Sequence, residues 1–208
     1  MYFFVFDLDH TLLTKNSSVE FCKFLYQKKV FSLKTVFYCL FYYLRHLFFD
    51  ISLVDLHERL FKKVFHGISL PSLEPYVSEF ICLRLNEMIY RPALQELQKA
   101  KHLGYRTAIL SSSPDFLVQK IAQALGVEEC RASKYLVDKE KKFCRIEVMT
   151  GACKAFFIGQ LDIGKEQVIA YSDSLLDLPF LLAAGDAVVV NPCSKLKKIA
   201  SRMGWREL

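Results

Sequence analysis

Residues Tyr2–Leu13 read YFFVFDLDHTLL. Five mostly apolar residues, Tyr2 to Phe6, form a run short enough for a fully buried strand. The run ends on Asp7 and, one residue later, Asp9. Two like charges this close are costly unless a positive group sits between them. A buried strand that delivers a pair of acids therefore predicts a parallel sheet with a charged site at its carboxyl edge.

The rest of the chain is read against that strand. Residues 17 to about 89 are helical in pattern without interleaved strands. SSVEFCKFLYQKK opens with a serine cap and a capping box from Ser17 to Glu20. Apolar residues recur at helical spacing through Phe21, Phe24, Leu25, Phe37, Leu40, Phe41 and Leu44, a stripe expected to form a bundle core. A third helix covers SLVDLHERLFKKVF, HGISLPSLEP breaks the pattern, and YVSEFICLRLNEMI is a fourth. From Arg91 the pattern alternates. RPALQELQKAKHLGY is helix, RTAIL strand and SSSPDFLVQKIAQALG helix. CRASKYLV and KKFCRIEVM form a hairpin. GACKAFFIGQL is helix, QVIAYSD strand, LLDLPFLLAAG helix, DAVVVN strand and SKLKKIASRMG helix. This predicts an α/β fold, a Rossmann-like three-layer sandwich with a mostly parallel sheet (residues 1–15 and 90–208), carrying an inserted helical cap domain (residues 16–89).

Composition narrows the function classes. The chain has 208 residues, 28 Lys and Arg against 22 Asp and Glu, and 18 Phe with 10 Tyr. The basic residues are scattered, so no nucleic-acid partner is expected. Seven cysteines form no CxxC pair and complete no zinc site; buried, reduced thiols and a cytoplasmic location are expected. Cys153, beside Lys154, stands apart. No signal peptide is visible. VFSLKTVFYCLFYYLRHLFF, residues 30–49, is interrupted by Lys34 and Arg45, and a span needs about 20 apolar residues. A buried or half-buried helix is expected there, with a lipid-facing interfacial helix as the alternative. Nothing in the sequence specifies an oligomer.

In parallel sheets, ligands bind beyond the carboxyl ends of the strands. Asp7 and Asp9 follow the first strand, Ser111 follows RTAIL, Asp173 follows QVIAYS, and Asp177 comes a helical turn later. Lys154 opens the helix after the hairpin. Carboxylates at ~4 Å repel by about 4 kcal/mol per pair at an effective dielectric near 20. A hard divalent cation, Mg²⁺ where phosphate is handled, offsets this. Lys154, Ser111 and the N–H groups of Ser112 and Ser113 ahead of a helix suit an anion. The set describes phosphoryl chemistry with a carboxylate nucleophile.

FDLDHTLL resembles the DxDxT motif of the haloacid dehalogenase-like hydrolases. ILSSSP, TGACK and YSDSLLD are similar to their second, third and fourth motifs, in order. The tail VNPCSKLKKIASRMGW is similar to the phosphoserine-phosphatase-like branch. The resemblance implies a phosphatase acting on a small phosphorylated metabolite. Asp7 would be the nucleophile and Asp9 the acid/base, reaching Mg²⁺ through its backbone carbonyl. Thr11 would support the loop, Ser111 and the Ser112 N–H would hold phosphate, and Lys154 would tie nucleophile to phosphoryl group. Asp7, Asp9 and Asp173 would ligate Mg²⁺, with Asp177 holding its water shell or Lys154. Three departures stand out: Ser172 where glycine is usual, His10 after Asp9, and Asn16 where phosphoserine phosphatases carry a glutamate for the substrate amine. Two rival readings are a lipid-phosphate phosphatase at a membrane surface and a catalytically inactive binding protein on the same fold.

Asp115 is expected to favour a helix dipole. His46, His57, His66 and His102 are expected to pack without partners, Arg45 and Arg59 to lie on a solvated face, and Asn191–Pro192 to shape a loop at the crevice.

Overall fold

The computed structural model describes residues 2–48 and 51–208, the Leu47 side chain excepted. The first strand, β1 (Phe3–Phe6), runs into a wide turn, Leu8–Leu12. Four helices follow: α1 (Ser17–Gln27), α2 (Leu33–Phe48), α3 (Leu53–Leu60) and, after a turn at Phe61–Phe65, α4 (Leu70–Met88). Then come α5 (Arg91–His102), β2 (Arg106–Pro114), α6 (Asp115–Ala124), β3 (Glu129–Val137), β4 (Phe143–Glu147) and α7 (Gly151–Gly159). The chain closes with β5 (Val168–Ser172), α8 (Leu178–Ala183), β6 (Asp186–Val189), α9 (Ser194–Met203) and β7 (Arg206–Glu207).

The strands form one sheet in the order β4-β3-β2-β1-β5-β6-β7. All pairs are parallel except β3–β4. β1 lies between β2 and β5, so the chain builds one half of the sheet outward from β1, then returns to build the other. Such a reversal opens a crevice at the strand ends.

Alternation in β1 explains the two covered faces. Phe3 and Val5 join Ile158, Phe180 and Leu196 from α7, α8 and α9. Phe6 joins Leu97 and Ile121 from α5 and α6. All three β1 residues are fully buried, as a central parallel strand requires. The second core continues through Phe21, Phe24 and Phe80 of α1 and α4. The chain leaves and re-enters the sheet region side by side: Leu13 and Ile89 form an antiparallel bridge, and Tyr90 N–H donates to Leu12 O at 2.9 Å. The hairpin tip is also tied to the helices. Phe143 N–H donates to Ile68 O at 2.9 Å, and Phe61, Phe65, Phe116, Tyr135 and Phe143 interlock edge to face.

Several expectations are corrected. α1 is capped by Asn16, whose side chain accepts from Val19 N, not by serine. The break in HGISLPSLEP is confined to residues 66–69, with Gly67 at a positive φ of 80°, and the prolines lie past it: Pro71 stands in the first turn of α4, where its missing N–H costs nothing, and Pro75 is absorbed within the helix. β2 runs to Pro114, past the expected Leu110, with an irregular register after Ser111. β7 has no apolar signal and was not expected.

The aromatic stripe divides. Phe21, Phe24 and Phe80 are core, but Phe37, Phe41 and Phe48 on α2 are 62%, 55% and 75% exposed. α2 packs with α1 and α3 on one side, and among the described residues Phe37, Phe41 and Phe48 stay uncovered on the other. Among the described residues no helix is long and apolar enough to cross a membrane; Phe49 lies outside them. The cysteines are free thiols, yet Cys82, Cys144, Cys153 and Cys193 are exposed, on α4, β4, α7 and the loop before α9, against the expectation that most are buried. Asn191 does not line the crevice. It takes a positive φ of 42° and donates to Leu208 O, tying the last loop to the chain end. Asp115 opens α6 and also accepts from Tyr135 N at 3.1 Å, which anchors β3.

Candidate active site

The site gathers at the carboxyl edge of β1, β2 and β5. Asp7 leaves β1 with its N–H donated to Tyr171 O at 2.8 Å, so β5 sets its direction. The turn after it reverses the chain at His10, whose φ of 61° is left-handed. Histidine is among the non-glycine residues that tolerate this region. His10 itself is exposed at the cavity edge.

Lys154 is the centre of the charge arrangement. It is 1% exposed, and its Nζ lies 2.6 Å from Asp7 Oδ1 and 2.7 Å from Asp177 Oδ2. Burial pulls the ammonium down, but Asp177 and Asp7 more than reverse this, leaving it firmly protonated. α7 must approach the Asp177 turn closely to seat it. A Cβ on Gly151 would stand 2.2 Å from Leu176 O, so only glycine fits there. Ser172, the departure from glycine, donates to Asp177 Oδ2 at 2.8 Å and accepts from Ser174 N.

Asp173 is held by Thr11, whose hydroxyl donates to Oδ1 and accepts from the Asp173 N–H, both at 3.1 Å. Burial raises the Asp7 carboxyl well above its usual range despite the opposing Lys154. Burial likewise pushes Asp173 up to about 6, with His10 and Thr11 opposing. Both are desolvated acids at a cavity wall.

Asp9 points elsewhere. Its Oδ2 accepts from Ser113 Oγ at 2.6 Å, and its Oδ1 from Ser17 N at 2.7 Å. Asn16 adds a longer contact at 3.4 Å. Ser111 is buried with its oxygen accepting from Ser113 N at 3.1 Å. The Ser113 N–H is thus spent inside the loop, whereas Ser112 lines the cavity. The Asp9 and Asp177 carboxylates are thus held by protein partners. Among the described residues no three His, Cys, Asp or Glu side chains converge on a metal position. Asp177 is engaged by Lys154 and Ser172, and Asp9 by Ser113 and Ser17.

Ser113 was not singled out as a side chain by sequence. Three consecutive serines look alike until the irregular register of β2 turns one toward Asp9. Ser113→Ala removes a hydrogen bond to a charged group, worth about 1.5–3 kcal/mol. The expected result is a kcat roughly ten-fold or more below wild type with phosphate esters, together with a melting temperature lower by several degrees.

A cavity of about 290 Å³ joins this edge to α1, α2 and α3. His46 and His57 line it; a His46 ring nitrogen lies 2.7 Å from Ile51 O. Arg45 and Arg59 lie instead over the rings of Phe41 and Tyr42. Burial, with His46 beside it, lowers the His57 imidazole from 6.5 to about 4. The unfolded chain binds this proton below pH 6.5, the folded chain only below about 4. Stability is therefore lost as pH falls through that window, by up to about 2–3 kcal/mol. Asp7 and Asp173, whose carboxyls burial raises, contribute the opposite slope over the same window. The His57 share is therefore read as the difference between wild type and His57→Gln in urea unfolding from pH 7 to 4, wild type losing more stability as pH falls.

The pattern of the haloacid dehalogenase-like hydrolase family matches residues 4–182, and so spans every residue of the site described here. The chain belongs to that family. A probable phosphatase of Mycobacterium tuberculosis (strain ATCC 25618 / H37Rv) is 29% identical over 211 residues, covering 96% of this chain and 72% of the relative. A Bordetella pertussis Tohama I protein has the same fold with a TM-score of 0.87 at 21% identity, covering 99% of this chain and 97% of that one. A substrate-bound phosphoserine phosphatase matches with a TM-score of 0.70 at 16% identity, over 95% and 89%.

Proposed function

We propose that this haloacid dehalogenase-like hydrolase is a Mg²⁺-dependent phosphatase that hydrolyses a phosphomonoester through an aspartyl-phosphate on Asp7. One observation carries the reading: a buried lysine bridges Asp7 and Asp177 at the mouth of a cavity, leaving Asp7 Oδ2 without a hydrogen bond among the described residues. That oxygen is free to attack phosphorus. The mycobacterial relative named as a probable phosphatase supports the same class.

The donor set fits Mg²⁺. Asp173 keeps one carboxylate oxygen without a hydrogen-bond partner among the described residues, and Asp7 Oδ1, which accepts from Lys154 alone, keeps a second lone pair beside the attacking Oδ2. Mg²⁺ retains several waters and is held by one or two carboxylates plus substrate phosphate. Asp7, Asp173 and the Asp9 carbonyl would hold it, and it would supply charge neutralisation at the phosphoryl oxygens.

The chain's own residues do the rest. Lys154 and Ser111 bind the phosphoryl oxygens, with the Ser112 N–H. Asp7 Oδ2 forms the bond to phosphorus as the ester P–O bond breaks, and Asp9 gives its proton to the leaving oxygen. Water then attacks phosphorus as the bond to Asp7 Oδ2 breaks, Asp9 takes the water's proton, and phosphate leaves with the Asp7 carboxylate restored. Asp9 needs a partner in both protonation states. The Ser113 hydroxyl supplies one, because it can rotate from donor to acceptor. The helices of residues 16–89 act as a cap that excludes water. Free thiols at all seven cysteines support a reducing, cytoplasmic setting.

p-Nitrophenyl phosphate with Mg²⁺ is the direct test. Turnover that EDTA abolishes and Mg²⁺ restores is expected. Inertness toward it and a broad phosphate panel overturns the reading.

A further inference from the structure

The cavity above Asp7 extends well past the space a phosphate needs. Beyond the carboxylates it is walled by Val19 of α1, Val36 and Leu40 of α2, and Leu53, Leu56 and Leu60 of α3. Three of the polar groups along this stretch are already engaged. Lys23 pairs with Glu20 at 2.6 Å, and a His46 ring nitrogen meets Ile51 O. Asn16 is used on the Val19 N–H and Asp9. His57 is neutral at pH 7 because burial, with His46 beside it, disfavours its charged form.

Among the described lining residues, every carboxylate belongs to the Asp7, Asp9, Asp173 and Asp177 group, and the lysines are Lys23 and Lys154. An amine or second carboxylate on a small polar substrate would lose water there and find no counter-charge. A hydrocarbon chain would lose nothing polar and would gain burial. The wall helix α2 is itself apolar on both sides, with Val36 and Tyr43 inward and Phe37 and Phe41 outward.

We propose that the site takes an amphiphilic phosphomonoester, its phosphate at Lys154 and Ser111 and a linear apolar chain in the channel between α1, α2 and α3. This rests on the phosphatase reading for the phosphate end, and deepens it by naming the substrate class.

The experiment uses n-alkyl phosphates from ethyl to decyl, kept monomeric, with phosphate release measured in Mg²⁺. The matching n-alkylphosphonates are titrated by calorimetry. The expected result is a two- to four-fold rise in kcat/KM per methylene until the channel is full. The upper figure corresponds to about 0.8 kcal/mol per buried CH₂. Phosphonate Kd should fall in parallel. Leu56→Glu should flatten both slopes; should it fail to fold, Leu53→Lys at a half-buried position of the same wall carries the test. Equal rates for ethyl and decyl phosphate, or a ten-fold preference for phosphoserine, overturn the inference and leave the phosphatase reading standing. Chain-dependent phosphonate binding without any ester hydrolysis overturns the phosphatase reading and keeps the channel. Neither slope nor hydrolysis overturns both.

Discussion

Asp7→Asn should abolish phosphate release, lowering kcat by at least about 10⁴-fold, the scale seen when a covalent nucleophile is removed. The substitution keeps the shape of the side chain and the backbone bond from Asp7 N to Tyr171 O. It removes the attacking oxygen's charge, which no neighbour can replace. Stability should behave differently. Asp7 is 6% exposed, and burial opposes its ionised form, so an amide there costs little. Asp177 still pairs with Lys154 at 2.7 Å. The expected unfolding midpoint is therefore equal to wild type or above it. Single-turnover assays and thermal melts read the two effects separately. A variant with near wild-type turnover rejects Asp7 as nucleophile.

Lys154→Met should cost both activity and stability. The ammonium is 1% exposed between two carboxylates, and its removal leaves Asp7 and Asp177 facing each other in the interior. Breaking a buried pair by removing one partner typically costs about 3–5 kcal/mol. Activity should fall by roughly 10³-fold, since the phosphoryl group loses its cation. The double variant Lys154→Met with Asp177→Asn separates the effects. It removes one of the stranded charges, so stability should recover in part while activity stays low. The coupling should be clear in a double-mutant cycle, because the residues touch. Urea unfolding of all variants measures it, and a Lys154→Met protein as stable as wild type rejects the buried bridge.

Much of the frame was legible before folding. FVFD, AILS and AYSD each join an apolar run to a polar residue; FVFD and AYSD are strand ends in the sheet, and AILS marks where the regular register of β2 ends. Local periodicity carries that information, so the parallel sheet, its crevice and the residues beyond the strand ends could be read in order. The helices of residues 17–89 were legible as helices, but α2 shows the limit. It carries large apolar residues on more than one face, so which of them stay exposed followed only from which neighbours reached the helix. Pro71 and Pro75 were read as a break because position within a helix decides whether proline is tolerated, and that position depends on where α4 starts. β7 is two residues long and has no pattern to read.

The amino-acid sequence by itself determined the strand order along the chain and the chemical identity of the groups at the strand ends, since both depend on residues near one another. Tertiary structure decided which acid Lys154 binds, which of three serines reaches Asp9, and that the space above them is apolar. Lys154 and Asp7 are 147 residues apart, and Ser113 and Asp9 are 104 apart. Contacts over such distances are chosen by packing of the whole sheet and its helices, and no local pattern encodes them.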